Sequence, residues 1–334
     1  MKGWMTALAL VLLFLQACRS THAPVPAPGH RALPEQLRVV TFNVGSGKSV
    51  DGVAGDNAGF GPEQSRVADV HYGNGLAWPA AMRDASDFFA RVDADLVALQ
   101  EVFPAGRCPD IPPERQAGFV CEDWEPGAPG VTARILGPDY QVACHPGKPD
   151  KCLAVHRRLG RFAGCEGGDC TSALEGLDAS GCGAGSRVAA VTLELVSGGE
   201  LRVVHLHGTS GLALPDARCR RGQVHAAFAE GAADPEAGLV LGDFNTDPGR
   251  VGWLDTAARA LRREASPPKN YRFITDVGLL APPTFLRFLN IDHVLAAGMD
   301  GQCWAAGRTP GTEAVSDIAY FDHTAIVCDL ERVE

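Results

Sequence analysis

Short apolar runs recur along this chain, and most of them close on a residue that can bind a cation or exchange a proton. VVTF runs into Asn43, LVALQ into Glu101, VVHL into His207, LVLG into Asp243 and Asn245, Ile291 into Asp292, and the pair Asp322-His323 stands before TAIV. Runs this short, rich in β-branched residues and bounded by polar or Gly-containing segments, read as buried strands. Strand ends gathered on one edge of a sheet suit a site, because the sheet fixes the backbone while the polar tips stay at the surface. Carboxylates, carboxamides and imidazoles without a thiolate suit magnesium or manganese beside acid/base groups, and suit zinc less well.

The intervening sequence supplies a layered α/β pattern. Leu37 to Asn43 is a strand, and a Gly-rich loop follows to about Ala77. From Trp78, the residues Met82, Ala85, Phe88, Phe89 and Val92 recur at helical spacing, with Pro79 in the first turn, before the strand Asp95 to Glu101. Between Phe103 and about Gly185 glycine, proline and cysteine dominate, with strands expected at Tyr140 to Cys144 and Cys152 to His156. Ser186 to Val196 and Leu201 to His207 flank a Gly-Gly turn and predict a hairpin. Helices are expected over Arg218 to Glu230 and Trp253 to Arg263, and strands over Leu239 to Leu241, Ile291 to Leu295 and Thr324 to Leu330. Helices join some strands and turns join others, so two packed mixed sheets with helices outside are favoured over a fully parallel sheet.

Eleven cysteines point outside the reducing compartment, and the odd one sits in a special place. Met1-Lys2, an apolar stretch from Met5 to Leu15 and Leu15-Gln16-Ala17-Cys18 describe an export signal, too short for a membrane span of roughly 20 apolar residues. Leu-x-Ala-Cys resembles the bacterial lipobox, in which the cysteine is lipidated. Gln16 departs from that box and leaves ordinary signal cleavage as the alternative. With Cys18 lipidated, ten cysteines remain for disulfides, and seven of them, Cys108 to Cys182, lie in the Cys-rich span. No tight pair of C-x-x-C motifs supports a zinc site there. The expected organisation is a signal over 1–17, a lipid-anchored Pro-rich tether over 18–36 and one domain over 37–334, with a Cys-rich insertion at about 104–185. The chain is then exported to a bacterial cell envelope and held at a membrane by its N-terminal lipid, as a monomer.

Six motifs in order, TFN (Thr41 to Asn43), LQEV (Leu99 to Val102), VVHLHG, GDFN (Gly242 to Asn245), IDHV (Ile291 to Val294) and FDHTAIV (Phe321 to Val327), resemble the endonuclease/exonuclease/phosphatase superfamily. That superfamily includes DNase I, abasic-site endonucleases, bacterial sphingomyelinases and inositol polyphosphate phosphatases. The resemblance implies a four-layered α/β sandwich of two mostly antiparallel sheets flanked by helices, and Mg2+- or Mn2+-dependent hydrolysis of phosphate esters. It implies Glu101 as principal metal ligand with Asn43 and Asp322 nearby, and Asp243 and Asn245 as the pair that activates water and contacts phosphate. His323 is implied at the scissile phosphate with Asp292 holding its ring, and His207 is the functional imidazole on its strand, with His205 its structural neighbour. His293 is read as facing away from the site. Asp150 lies between the LQEV and VVHLHG motifs and is assigned no role. Cys303 and Cys328, near the last strands, are a plausible disulfide pair.

The substrate class is open at this level. A net charge of −10 argues against binding nucleic acid through a broad cationic surface, although a metal can supply positive charge locally. Arg218, Arg220 and Arg221, with Arg262 and Arg263, are the best basic cluster and fit solvated helix faces as well as a nucleic-acid grip. An exported phosphodiesterase or nuclease is the first expectation. A sphingomyelinase-like phospholipid phosphodiesterase or a phosphatase is the alternative, for which exposed aromatics at Trp124, Trp304 or Phe285 to Phe288 would speak, though core positions are favoured for all of them. A noncatalytic binding lipoprotein is the third reading.

Overall fold

The computed structural model describes residues 34–46, 59–170, 173–183, 186–229 and 238–333. The predicted signal, Cys18 and all but the end of the tether lie outside these residues. Among the described residues thirteen strands form two sheets, and the chain builds them nearly in turn. β1 (Gln36–Asn43), β2 (Leu96–Gln100), β3 (Tyr140–His145) and β4 (Lys148–His156) enter the first sheet. β5 (Gly160–Phe162), β6 (Glu175–Gly176), β7 (Val188–Leu195), β8 (Glu200–His207), β9 (Gly238–Asp243), β10 (Arg272–Phe273) and β11 (Asp292–Ala297) make the second. β12 (Met299–Ala305) and β13 (Ile326–Arg332) return to the first. The orders are β12-β13-β1-β2-β4-β3 and β10-β11-β9-β8-β7-β5, with β6 also on β7. Only β1 with β2 and β8 with β9 run parallel among the described strands, so the two sheets are mixed and mostly antiparallel, as expected.

Period-2 alternation explains the layering. Leu37 and Val39 of β1, Leu96 and Ala98 of β2, Leu201 and Val203 of β8, Leu239 and Leu241 of β9, and Val294 and Ala296 of β11 fill one core between the sheets. The alternate residues face outward under helices. Val40, Phe42, Val97 and Leu99 pack with Phe88 and Phe89 of α2 (Pro79–Val92), beside the short helices α1 (Pro62–Val67) and α3 (Val131–Leu136). On the other side Val204, Leu206 and Val240 pack with Val224 and Ala227 of α4 (Leu214–Ala229) and with Ala260 and Leu261 of α5 (Thr256–Glu264). Burying a side chain of this size contributes about 1.5–3 kcal/mol, so each face is separately stabilised.

Three expectations change in detail. The Cys-rich span supplies β3 to β6, and Ala143, Leu153 and Val155 belong to the inter-sheet core, so this span is part of the sandwich as well as its loops. The strands expected at Tyr140 to Cys144 and Cys152 to His156 are both present and form the hairpin β3–β4, which the disulfide Cys144–Cys152 spans. β12 was not expected at all, because Asp300, Gly301 and Gln302 break its apolar pattern, and it is an edge strand with little burial there. The helix expected from Trp253 starts at Thr256, since the Asp255 carboxylate caps it by accepting from the Ala257 N–H at 2.9 Å.

The ten cysteines after Cys18 form five disulfides, 108–121, 144–152, 165–170, 182–219 and 303–328, the last being the pair anticipated from the sequence. Cys182–Cys219 ties the Cys-rich span to α4. Such cross-linking fits a chain exported to an oxidising environment. No described helix is long and apolar enough to cross a membrane.

Candidate active site

The inward face of each central strand is apolar along its length and turns polar at one end. In the second sheet His207 pairs in register with Asp243, and Asp243 with Asp292, so three site residues stand in a row across β8, β9 and β11. In the first sheet Asn43 pairs with Gln100, the residue before Glu101. The two rows face each other across the mouth of the inter-sheet core. Segment 321–323 closes the ring: Phe321 packs edge-on against Phe42 with centroids 5.0 Å apart, and the Asp322 N–H donates to the Gly45 carbonyl at 3.2 Å.

Asn43 joins the two sheets. Its Nδ2 donates to Glu101 Oε1 at 3.3 Å and to Asp243 Oδ2 at 3.0 Å, while its Oδ1 accepts from the Gly45 N–H at 2.9 Å. Glu101 has φ +62°, a conformation uncommon for a side chain of this type, which takes it off the strand's alternation and leaves its carboxylate partly exposed at the mouth. Asp243 Oδ1 accepts from the Asn245 N–H at 2.7 Å, and Asn245 Nδ2 donates to Asp243 Oδ2 at 3.1 Å and to the Gly208 carbonyl at 2.9 Å. Gly242 before them has φ +143°, and a β-carbon there would lie 1.9 Å from the Leu206 carbonyl oxygen, so only glycine fits.

The two imidazoles differ in charge. Burial works against a charged His323, but Asp292 Oδ2 at 2.8 Å from its Nδ1, with Asp243 and Asp322 nearby, pushes its pKa up to about 10. Its Nε2 faces the mouth, 3.8 Å from Asp243 Oδ2. His207 is driven the other way: burial, then the charges of Lys151 and Arg187, hold it well below the ordinary range and neutral. Its Nε2 lies 3.5 Å from Glu101 Oε1 and 3.6 Å from Asp243 Oδ2, and its Nδ1 is buried without a partner. His205 sits one layer deeper, 2.8 Å from Gln100 Nε2, and reaches none of these carboxylates. His293 points to the opposite face, between Phe244 and Phe273.

Carboxylates dominate the mouth. Burial, then Asp292, raises Asp243 to about 7, and burial, opposed by His323 and reinforced by Glu101, raises Asp322 to about 6. Asp292 Oδ1 is buried with no partner. Crowded carboxylates that take up protons, beside an orphaned oxygen, fit a site completed by a cation. Asp243, Asp292 and His323 present ligand atoms all within 4.8 Å of one another. That trio differs from the set read from the sequence, Asn43, Glu101 and Asp322.

Lys151 escaped the sequence reading. Its ammonium is buried, pairs with Asp150 Oδ2 at 2.5 Å and has its pKa lowered by burial, with Asp150 and Glu101 opposing. Its alternation with Leu153 and Val155, one step ahead of the expected strand, is the signal the sequence offers.

The sequence from 40 to 317 matches the Endonuclease/Exonuclease/phosphatase family model. No curated protein matches. Among solved structures the chain is similar to the human Nocturnin catalytic domain with bound sulfate anion, at 17% identity, covering 90% of this chain and 96% of that one, with a TM-score of 0.54. It is also similar to an endonuclease/exonuclease/phosphatase from Beutenbergia cavernae DSM 12333, at 17% identity over 90% and 72% of the two chains and a TM-score of 0.51. A humanized D. rerio TDP2 matches at 11% identity over 89% and 100%, with a TM-score of 0.51. These likenesses agree on the sandwich, and the family model spans most of the chain that builds it. This chain belongs to the endonuclease/exonuclease/phosphatase family.

Proposed function

We propose that this protein is an exported, metal-dependent phosphodiesterase. The observation that carries the reading is the convergence of Asn43, Glu101, His207, Asp243, Asn245, Asp292, Asp322 and His323 on one mouth, with a cationic imidazole opposite a carboxylate whose proton affinity is raised. The DNA product bound by D. rerio TDP2 supports a phosphodiester as substrate.

Glu101, with Asn43 and Asp322, would hold Mg2+ or Mn2+, which neutralises the phosphodiester's negative oxygens and stabilises charge that develops at the leaving oxygen. Asp243, oriented by the amides of Asn43 and Asn245, takes the proton of the attacking water. His323, held by Asp292, sets positive charge and an Nε2–H donor against a phosphate oxygen. Asn245 Nδ2 holds Asp243 Oδ2 in place beside the phosphate, and neutral His207 stands with its Nε2 3.5 Å from Glu101 Oε1. The intact set speaks against a noncatalytic module. Export follows from the five disulfides with the N-terminal signal, and membrane attachment from lipidation of Cys18.

The test is hydrolysis of bis(p-nitrophenyl) phosphate, plasmid DNA, RNA, sphingomyelin and inositol phosphates with magnesium, manganese or EDTA. Activity lost with EDTA and with Glu101→Gln is expected. Activity that survives both would overturn the metal-dependent reading.

A further inference from the structure

Nine large apolar side chains are exposed among the described residues, and all but Val70 and Val196 stand on three loops around the site or, for Leu214, at the helix start that follows one of them. Loop 208–213 follows His207 and carries Leu212, 99% exposed, with Leu214 opening α4. Loop 244–255 follows Asp243 and carries Trp253 and Leu254, 75% and 63% exposed. Loop 274–291 precedes Asp292 and carries Leu279, Leu280 and Phe288. All three leave the same sheet edge, because His207, Asp243 and Asp292 share one register row.

The loops are tied together by buried charges. Arg220, only 4% exposed, donates to the Thr209 and Gly211 carbonyls at 2.6 and 3.1 Å and approaches Asp255 Oδ2 at 3.4 Å, joining the first loop to the second. Asp247, equally buried, accepts from Arg250 and from the Asn290 N–H at 2.8 Å, and Arg250 Nη2 donates to the Ala281 carbonyl at 2.6 Å, joining the second to the third. The third loop reaches the site itself, where the Phe285 ring lies 4.6 Å from that of His323. The apolar tips are therefore held outward by a braced rim, and grouped exposed apolar side chains mark an interaction surface.

We propose that this rim docks on a phospholipid bilayer, setting the leucines, Trp253 and Phe288 at headgroup depth with the site facing the membrane. Leucine with tryptophan and phenylalanine is the composition of an interfacial contact. Arg220 and Arg250 are engaged within the rim, and Arg287, exposed beside Phe288 on the third loop, stands where it can meet a headgroup phosphate. The chain outside the described residues fits the same orientation. β1 enters at the end away from the site, and its eight residues span about 26 Å. Residues 19–35, Pro-rich, reach on the order of 50 Å when extended, enough for an anchored domain to turn its site edge toward the bilayer that holds the anchor. With a net charge of −10, adsorption comes from apolar insertion and not from attraction to anionic lipid. Docking stands apart from the chemistry; only its corollary, that the site meets lipid phosphodiesters, rests on the proposed function.

The experiment uses the mature chain with Cys18→Ser, which cannot be lipidated, and phosphatidylcholine vesicles with and without phosphatidylglycerol. Co-sedimentation is expected at both compositions and in 0.5 M NaCl, with quenching of tryptophan fluorescence by brominated lipid. Trp253→Ser and Leu280→Ser are each expected to weaken partitioning about tenfold, as burial of a large apolar side chain implies, with unchanged circular dichroism. Trp253→Ser should also remove most of the quenching, while Val196→Ser, at the far end of β7, and Glu101→Gln should partition normally. No partitioning of the parent chain, or partitioning that requires phosphatidylglycerol and vanishes in salt, overturns the proposal. So does self-association or DNA binding that the rim variants abolish while vesicle binding is absent. Vesicle binding without hydrolysis of any phosphodiester keeps the docking and overturns the function instead.

Discussion

Gly45 stands so close to Glu101 that a β-carbon on residue 45 would lie 2.3 Å from Glu101 Oε2. The carboxylate proposed to hold the metal is thus packed against bare backbone. Gly45→Ala is expected to push Glu101 aside and to lower both metal affinity and kcat/KM by roughly ten- to a hundredfold, as loss of support around a ligand does. Metal titration by calorimetry and a thermal melt are the checks. Unchanged metal affinity in a folded variant would contradict the placement.

Asp292 acts through His323. Asp292→Asn keeps the shape of the side chain but removes the charge that holds the imidazole cationic 2.8 Å away. Turnover is expected to drop between about a hundred- and ten-thousandfold, with KM for a soluble phosphodiester changing much less. Steady-state kinetics separate the two, and an equal fall in affinity alone would argue for a purely structural carboxylate.

His205 is a pH-sensitive element of stability. Burial, then Lys151 and His145, lower its pKa from 6.5 to about 3. The unfolded chain gains a proton as pH falls through 6.5 that the folded chain refuses until about 3, so His205 costs stability progressively across that window. By pH 5 the difference is about 2 kcal/mol. Urea denaturation at pH 7.5, 6 and 5 is expected to show a shallower acid decline for His205→Leu than for the parent chain. Gln100 Nε2 keeps Thr41 Oγ1 and the Ala98 carbonyl in that variant. Parallel pH profiles would show that His205 does not titrate as described.

The disulfides should differ in worth by the loop each closes. Cys182–Cys219 spans 37 positions and Cys165–Cys170 spans 5. Replacing both cysteines by alanine is expected to cost about 4 kcal/mol in the first case and about 2 kcal/mol in the second, read from urea midpoints. A thiol assay of the denatured, unreduced mature protein should find at most the Cys18 thiol. Several reactive thiols would refute the pairing.

The candidate site was legible because strands write their inner face at every second residue. Asp243 and Asp292 each continue an apolar inward series by one polar position, while Asn43 and His207 follow Thr41 and His205 on the same face, which is local information. The same alternation exposed His205 and His207 as sharing a face, but not that one meets Gln100 and the other meets carboxylates, because depth along the strand depends on the facing sheet. Lys151 is hidden for a related reason: it stands one residue before the strand expected from Cys152, and its neighbours Gln100 and Glu101 are some fifty residues away in sequence.

The aromatic residues show where local reading stops. Trp124 and Trp304 pack against the core as favoured, but Phe288 is exposed, and Trp253 stands three residues before the helix that the Asp255 cap starts. Arg220, whose helix neighbours suggest a solvated face, is a buried tie between loops.

Sequence alone determined the layered sandwich, the family resemblance, the disulfide-forming cysteines and the polar residues at the strand ends, all carried by periodicity and short motifs. Tertiary structure decided which imidazole is cationic, which cysteines pair across the chain, and that three loops distant in sequence form one apolar rim. Charge state, pairing and exposure depend on neighbours brought together only when the two sheets close on their shared core.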